Sequence, residues 1–166
     1  MKKLQIIGIG NRIMEDDGIG VYVVEQLIEE QFLYNIESVA GKADISIEYI
    51  VGETDIAYCV NSLDAEGCVV IIDAAISGKE PGTITEFKIN DISLCTSMTL
   101  NAHNYNLIEA ARMTLNQCNF IIIGIEPELV DYQWGLSDTL NIAFPHIVEG
   151  VKKCILKLAA LLIFAQ

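Results

Sequence analysis

"LQIIGIGNRIMEDDGIGVYVVEQLIEE", Leu4 to Glu30, is the stretch on which the reading of the fold turns. It opens on an apolar run, Leu4 to Ile9, of strand length. Continuous hydrophobicity of this kind fits a strand buried on both faces, as in a parallel sheet. It closes on Val21, Val24, Leu27 and Ile28, spaced i, i+3, i+6 and i+7 like one stripe of a helix. Between them lies a glycine-rich loop, where a nucleotide-binding protein would hold a phosphate. This loop instead carries three acids in a row, Glu15, Asp16 and Asp17. Gly8 and Gly10 fit a G-x-G-x-x-G fingerprint, but its third glycine position is Ile13. Carboxylates at a helix start also oppose the field that draws in a pyrophosphate. Dinucleotide binding is therefore set aside. Gly18 and Gly20 are read as letting the backbone approach the sheet or a ligand closely.

Outward from this unit, strand-like runs alternate with helical ones. Ile45 to Val51 alternates and reads as a second strand. Thr54 then looks like an N-cap with Asp55 in the first turn, and Ile56, Ala57, Val60 and Leu63 give that helix an apolar face. Cys68 to Ala75, "CVVIIDAA", is a third, deeply buried strand. Gly82 to Ile89 is a fourth, and its alternation after Pro81-Gly82 marks an edge strand. A helix is expected from about His103 to Asn116, a fifth strand from Cys118 to Ile125, and a long terminal helix capped by Ser137 or Asp138. Pro145 should kink that helix or mark a second start. The order predicts one domain over 1–166, doubly wound, with three α/β/α layers. Its sheet has about five strands, mostly parallel, with one antiparallel edge strand. Right-handed crossovers then place strand 2 on one side of strand 1 and strand 3 on the other.

Composition narrows the partners. The chain has 166 residues, 52% of them hydrophobic, and 23 acids against 10 lysines and arginines give a net charge of -13. Such a surface repels nucleic acid and anionic membrane. Five cysteines with no C-x-x-C spacing argue against a disulfide framework or thiolate zinc site, and a reducing cytoplasm is the expected compartment. The N-terminal run lacks a cleavage signature and is not read as a signal peptide. The apolar tail Ile155 to Ala165 is too short to span a bilayer, which needs about 20 apolar residues, and reads as the buried face of a last helix.

In an open α/β sheet, ligands bind at the carboxyl ends of the strands, where the strand order reverses. Asp16 and Asp17 follow strand 1, Asp73 ends strand 3, and His103 precedes the third helix. These groups are expected to converge there as an oxygen- and nitrogen-donor set for a divalent metal, or as an acid/base constellation. The plainer alternatives are that Asp16 or Asp17 caps the first helix, that Asp73 forms a turn and that His103 caps a helix. His146 reads as a surface residue. A receiver-like signalling domain, with Asp73 as phospho-acceptor, is the alternative from another functional class. Such domains keep a lysine after strand 5, where this chain has Glu126.

The sequence resembles the hydrogenase maturation endopeptidases. The resemblance rests on "IIGIGNRIMEDDGIGVYVVEQL", on "VVIIDAAISGKEPGTI", on "AHNYNL" around His103 and on "FIIIGIEPELVDY", in that order and over most of the chain. It implies an endopeptidase that clips the C-terminal extension from the large-subunit precursor of a nickel-iron hydrogenase after nickel insertion. It also implies metal-contacting positions at Asp17, Asp73 and His103, with Asp17 and Asp73 catalytic and Asp16 as the supporting acid of the first motif. No permanent cofactor is implied: the metal is the precursor's own nickel, and other divalent ions are expected to fit. Gly52, Glu53 and Thr54 correspond to the substrate-recognition loop, often Asp-Gly-Gly-Thr in the family, with Glu53 in place of a glycine.

Overall fold

The computed structural model describes residues 2–33, 45–88, 113 and 120–164. Five strands form one sheet: β1 (Lys2–Ile9), β2 (Ile45–Glu53), β3 (Cys68–Ala74), β4 (Ile84–Lys88) and β5 (Phe120–Ile125). Their order is β2-β1-β3-β5-β4. The pairs β1·β2, β1·β3 and β3·β5 are parallel, and β4 runs antiparallel to β5 at the edge. This is the expected sheet, with the reversal between β1 and β3 where the crossovers placed it. Of the helix expected from about His103 to Asn116, residue 113 is described and helical, while His103 itself lies outside the described residues.

Helices cover both faces. On one, α1 (Ile19–Glu29) and α3 (Asp138–Phe164) pack on Leu4, Ile6, Val70, Ile72, Ile123 and Ile125. On the other, α2 (Ile56–Ser62) packs on Ile7, Ile9, Val69, Ile71 and Ile122. Neighbouring residues of one strand thus serve opposite cores, which is why the central strands carry no polar alternation. A fully buried Ile or Leu contributes about 1.5–3 kcal/mol, so these two layers hold the sheet together.

Several local expectations change. The buried stripe of α1 holds Val21, Val23, Val24 and Leu27, all 0% exposed, while Ile28 is 43% exposed at its margin. Asp55, not Thr54, is the N-cap of α2: its side chain accepts the Tyr58 N–H at 2.8 Å. Ala57 is exposed and Cys59 is the buried anchor of that helix. Ser137 caps α3, its Oγ accepting from the Leu140 N–H at 3.2 Å. Pro145 stands inside one continuous helix rather than starting a second. In the tail of α3, Ile155, Leu158 and Ala159 are buried while Leu156 and Lys157 are exposed, so the segment is amphipathic. No helix among the described residues is long and apolar enough to cross a membrane.

One close approach positions the site. A Cβ on Gly20 would stand 2.1 Å from the Ile72 carbonyl oxygen and 2.6 Å from that of Ile9. Only glycine lets the first turn of α1 sit directly on the carboxyl ends of β1 and β3.

Candidate functional site

The three acids of the first loop occupy a short 3-10 turn, Glu15–Gly18, leading into α1. Neither end of that turn nor the start of α1 carries a side-chain cap. The helix-capping alternative for Asp16 and Asp17 is therefore not what the structure contains. Gly10, at φ 131°, turns the chain so tightly that a Cβ there would meet the Asp17 carbonyl oxygen at 1.9 Å.

Asp16 is fully buried and works at long range. Its Oδ1 accepts from the Ser137 N–H at 2.7 Å, and its Oδ2 from the N–H groups of Glu128 and Leu129 at 2.9 and 3.1 Å. Its own N–H donates to the Leu129 carbonyl, and the Glu15 N–H donates to that of Gln133. A buried carboxylate is stable only when hydrogen bonds replace its water, and three backbone donors do so here. Asp16 thus ties the loop after β1 to the loop after β5.

Glu126 makes the matching tie. Its carboxylate accepts from the N–H and hydroxyl of Ser77, the latter at 2.6 Å, and from the Gly78 N–H at 2.9 Å. Burial pushes its pKa up, but these hydrogen bonds outweigh burial and hold it below the ordinary carboxylate value. The Gly10 N–H donates to the Glu53 carbonyl at 3.0 Å, which fastens the loop after β2 as well. The loops after β1, β2, β3 and β5 are therefore laced together at the carboxyl edge of the sheet.

Asp17 and Asp73 flank that lacing. Asp17 is 6% exposed and accepts the Asn11 N–H at 2.9 Å. Asp73 is 1% exposed, the penultimate residue of β3 and in register with Gly124 of β5. The 3-10 turn holding Asp17 packs on β3, so both acids arrive at the β1–β3 reversal. His103, the third expected donor, lies outside the described residues. Among those residues no three His, Cys, Asp or Glu side chains cluster in a way that could hold a metal. Glu15 opens the same turn, 5% exposed at φ 52°. Burial and the carboxylates of Asp16, Asp131, Glu128 and Asp138 raise its pKa. Cys59 and Cys68 are pushed up to about 11 by burial, so neither thiol is a ready nucleophile.

The remaining expected residues line a neighbouring cleft. Gly52 is structural: a Cβ there would stand 2.3 Å from Cys59 Sγ. Glu53 and Thr54 face an opening of about 270 Å³ shared with Asn11, Arg12, Ile13 and Trp134. Arg12 and Trp134 were missed by sequence reasoning. The signal available for Trp134 was its being the one tryptophan, in a loop rather than a core run. Glu126 was noticed only as the residue standing where a receiver keeps lysine. Like Asp73, it is an acid that follows a buried strand. The receiver-like reading also fails on topology, because that fold orders its strands 2-1-3-4-5, whereas here β5 is inserted between β3 and an antiparallel β4.

A family model described as hydrogenase maturation protease matches residues 21–153. A protein of Methanocaldococcus jannaschii, named provisionally as a hydrogenase maturation protease, is 28% identical over 168 residues, covering 95% of this chain and 92% of that one. Two solved structures share the fold. The hydrogenase maturation protease HybD of Thermococcus kodakarensis superposes with a TM-score of 0.68 at 24% identity, over 93% of this chain and 99% of that one. The hydrogenase maturating endopeptidase HybD of Escherichia coli gives 0.70 at 23%, over 97% and 92%.

Proposed function

The chain belongs to the hydrogenase maturation protease family, and from that premise we propose that it removes the C-terminal extension of a nickel-iron hydrogenase large-subunit precursor once nickel is in place. The observation that supports this most is the pairing of Asp17 and Asp73. These are two buried carboxylates on adjacent units of a parallel sheet, at the strand-order reversal where such sheets take their ligands. Carboxylates at such an edge are suited to a cation or to a proton transfer.

In this reading nickel is substrate, carried by the precursor. Asp17, Asp73 and His103 dock onto it, and carboxylate with imidazole suits that borderline ion. Docking fixes the scissile peptide beside a water. Nickel polarises the carbonyl, or one of the two carboxylates takes the proton of the attacking water and returns it to the leaving amine. Asp16 takes no part in the chemistry: its oxygens are engaged by three backbone donors, and it holds Asp17 in place. A cytoplasmic setting, where the precursor is synthesised, completes the reading.

The deciding assay mixes the purified protein with nickel-loaded and nickel-free precursor and weighs the products by mass spectrometry. Only the nickel-loaded form is expected to lose its tail. Trimming of both forms would remove nickel recognition from the proposal, and trimming of neither would remove precursor processing.

A further inference from the structure

We propose that the loop after β5, from Glu128 to Trp134, is a docking platform for the folded body of the large-subunit precursor, and that it binds this body whether or not nickel is present. The platform rests on the maturation reading above and supplies the affinity for a protein substrate that the acid pair does not.

Single apolar side chains on a surface are ordinary, whereas a contiguous group marks a contact face. Leu129, Val130, Tyr132 and Trp134 are all exposed within six consecutive residues, Tyr132 at 77% and Trp134 at 69%. Tyrosine and tryptophan bring a large contact area for few rotatable bonds, which makes them the common anchors of protein interfaces.

The backbone beneath these side chains is fixed. The Asp16 carboxylate accepts from the N–H groups of Glu128 and Leu129, and its own N–H donates to the Leu129 carbonyl. The Glu15 N–H donates to the Gln133 carbonyl at 2.9 Å, and the Gly135 N–H to that of Arg12 at 3.4 Å. A slack loop would fold its apolar side chains inward; this one is held with them in solvent. Little freedom is left to lose on binding, so contact made here goes into affinity.

Charge selects the occupant. No lysine or arginine lies between Arg112 and Lys152, while Glu128, Asp131 and Asp138 stand exposed in and beside the loop. Two copies of this loop facing across a two-fold axis would set the acids against themselves. An anionic membrane meets the same repulsion. The fitting partner is an apolar protein face with lysines or arginines at its margin. Position identifies it further. Asp16, which fixes the loop, is adjacent in sequence to Asp17, so a protein whose scissile peptide reaches Asp17 and Asp73 lies beside the platform. The precursor is that protein. Its body docks first, and nickel then draws the scissile peptide to the acids.

The test uses the full enzyme and the large-subunit precursor of the same organism, nickel-loaded as substrate and nickel-free as competitor. L129A/Y132A trims two exposed side chains and keeps every backbone hydrogen bond of the loop, so its urea midpoint should match wild type. It should raise KM about tenfold while kcat stays within about twofold, the signature of lost binding made equally before and during reaction. Nickel-free precursor should inhibit the wild-type enzyme competitively, and L129A/Y132A should weaken that inhibition by the same factor. E128K/D131K, which keeps the apolar residues, should also raise KM and make it less sensitive to salt. If KM is unchanged in both variants, or nickel-free precursor does not compete, the platform is overturned and the maturation reading stands. A fall in kcat at constant KM also overturns it, since the loop would then serve only to support the acids. So does a wild-type dimer that L129A/Y132A dissociates in sedimentation, which would assign this face to a second copy. If the wild-type enzyme leaves nickel-loaded precursor intact, the maturation reading falls and the platform with it.

Discussion

The Nε of Arg12 donates to Glu53 Oε1 across 2.9 Å, joining the loop after β1 to the last residue of β2. That contact fastens a residue whose backbone, at φ 48°, prefers glycine. Two opposed effects therefore meet at Glu53. Relief of the left-handed backbone is worth about 1 kcal/mol, and loss of the partly exposed ion pair costs up to about 1 kcal/mol. Glu53→Gly should leave stability within about 1 kcal/mol of wild type by urea unfolding. A loss above about 2 kcal/mol would mean that the ion pair holds the loop.

Asp16→Asn should destabilise the fold by roughly 2–3 kcal/mol, because an amide cannot accept at both oxygens. One side of the amide would turn an N–H toward the donors of Glu128 and Leu129 or toward that of Ser137. The urea midpoint should fall with the m-value unchanged. An unaltered midpoint would show that the loop after β5 stays in place without this carboxylate.

Asp17→Asn and Asp73→Asn should each reduce tail removal by about a thousandfold, within the range for losing an acid/base group. Far-ultraviolet circular dichroism should be unchanged. Unfolding of either variant would instead make the acid a structural one, like Asp16.

The strands, and the place of β1 between β2 and β3, were legible in the sequence because strands buried on both faces cannot alternate and crossovers have one hand, while the insertion of β5 between β3 and β4 was not. "CVVIIDAA" and "CNFIIIGI" show this directly, and the alternation after Pro81-Gly82 placed the antiparallel edge. That the loop after β1 and the end of β3 open on one edge followed from crossover handedness. What stayed hidden was work done by side chains at long range. Asp16 looked like a catalytic helper or a helix cap because nothing local ties residue 16 to residues 128, 129 and 137. Arg12 gave no periodic signal, since it acts through Glu25 and Glu53 in two different elements. Thr54 was preferred to Asp55 as a cap because both types suit that position, and one residue of register decides between them.

Acid should weaken the fold through Glu126. Its folded pKa lies below the ordinary value of 4.5, so its contribution is present above that value and disappears as pH falls through the folded one. Glu126→Gln should flatten the acid limb of a stability-against-pH curve below about pH 4.5 and lower stability at neutral pH. A curve parallel to wild type would assign acid lability to other groups.

The partners of Asp16 lie 112, 113 and 121 residues further along the chain. A ribosome adds about 5–20 residues per second, so Asp16 waits roughly ten seconds before Ser137 exists. During that interval β1, the acidic turn and α1 can form without their final anchor. The setting of Asp17 is complete only when α3 has been made and folded back. Competence to cut is thus acquired last in the life of the newborn chain, and a nascent fragment carrying both acidic motifs is still without an assembled site.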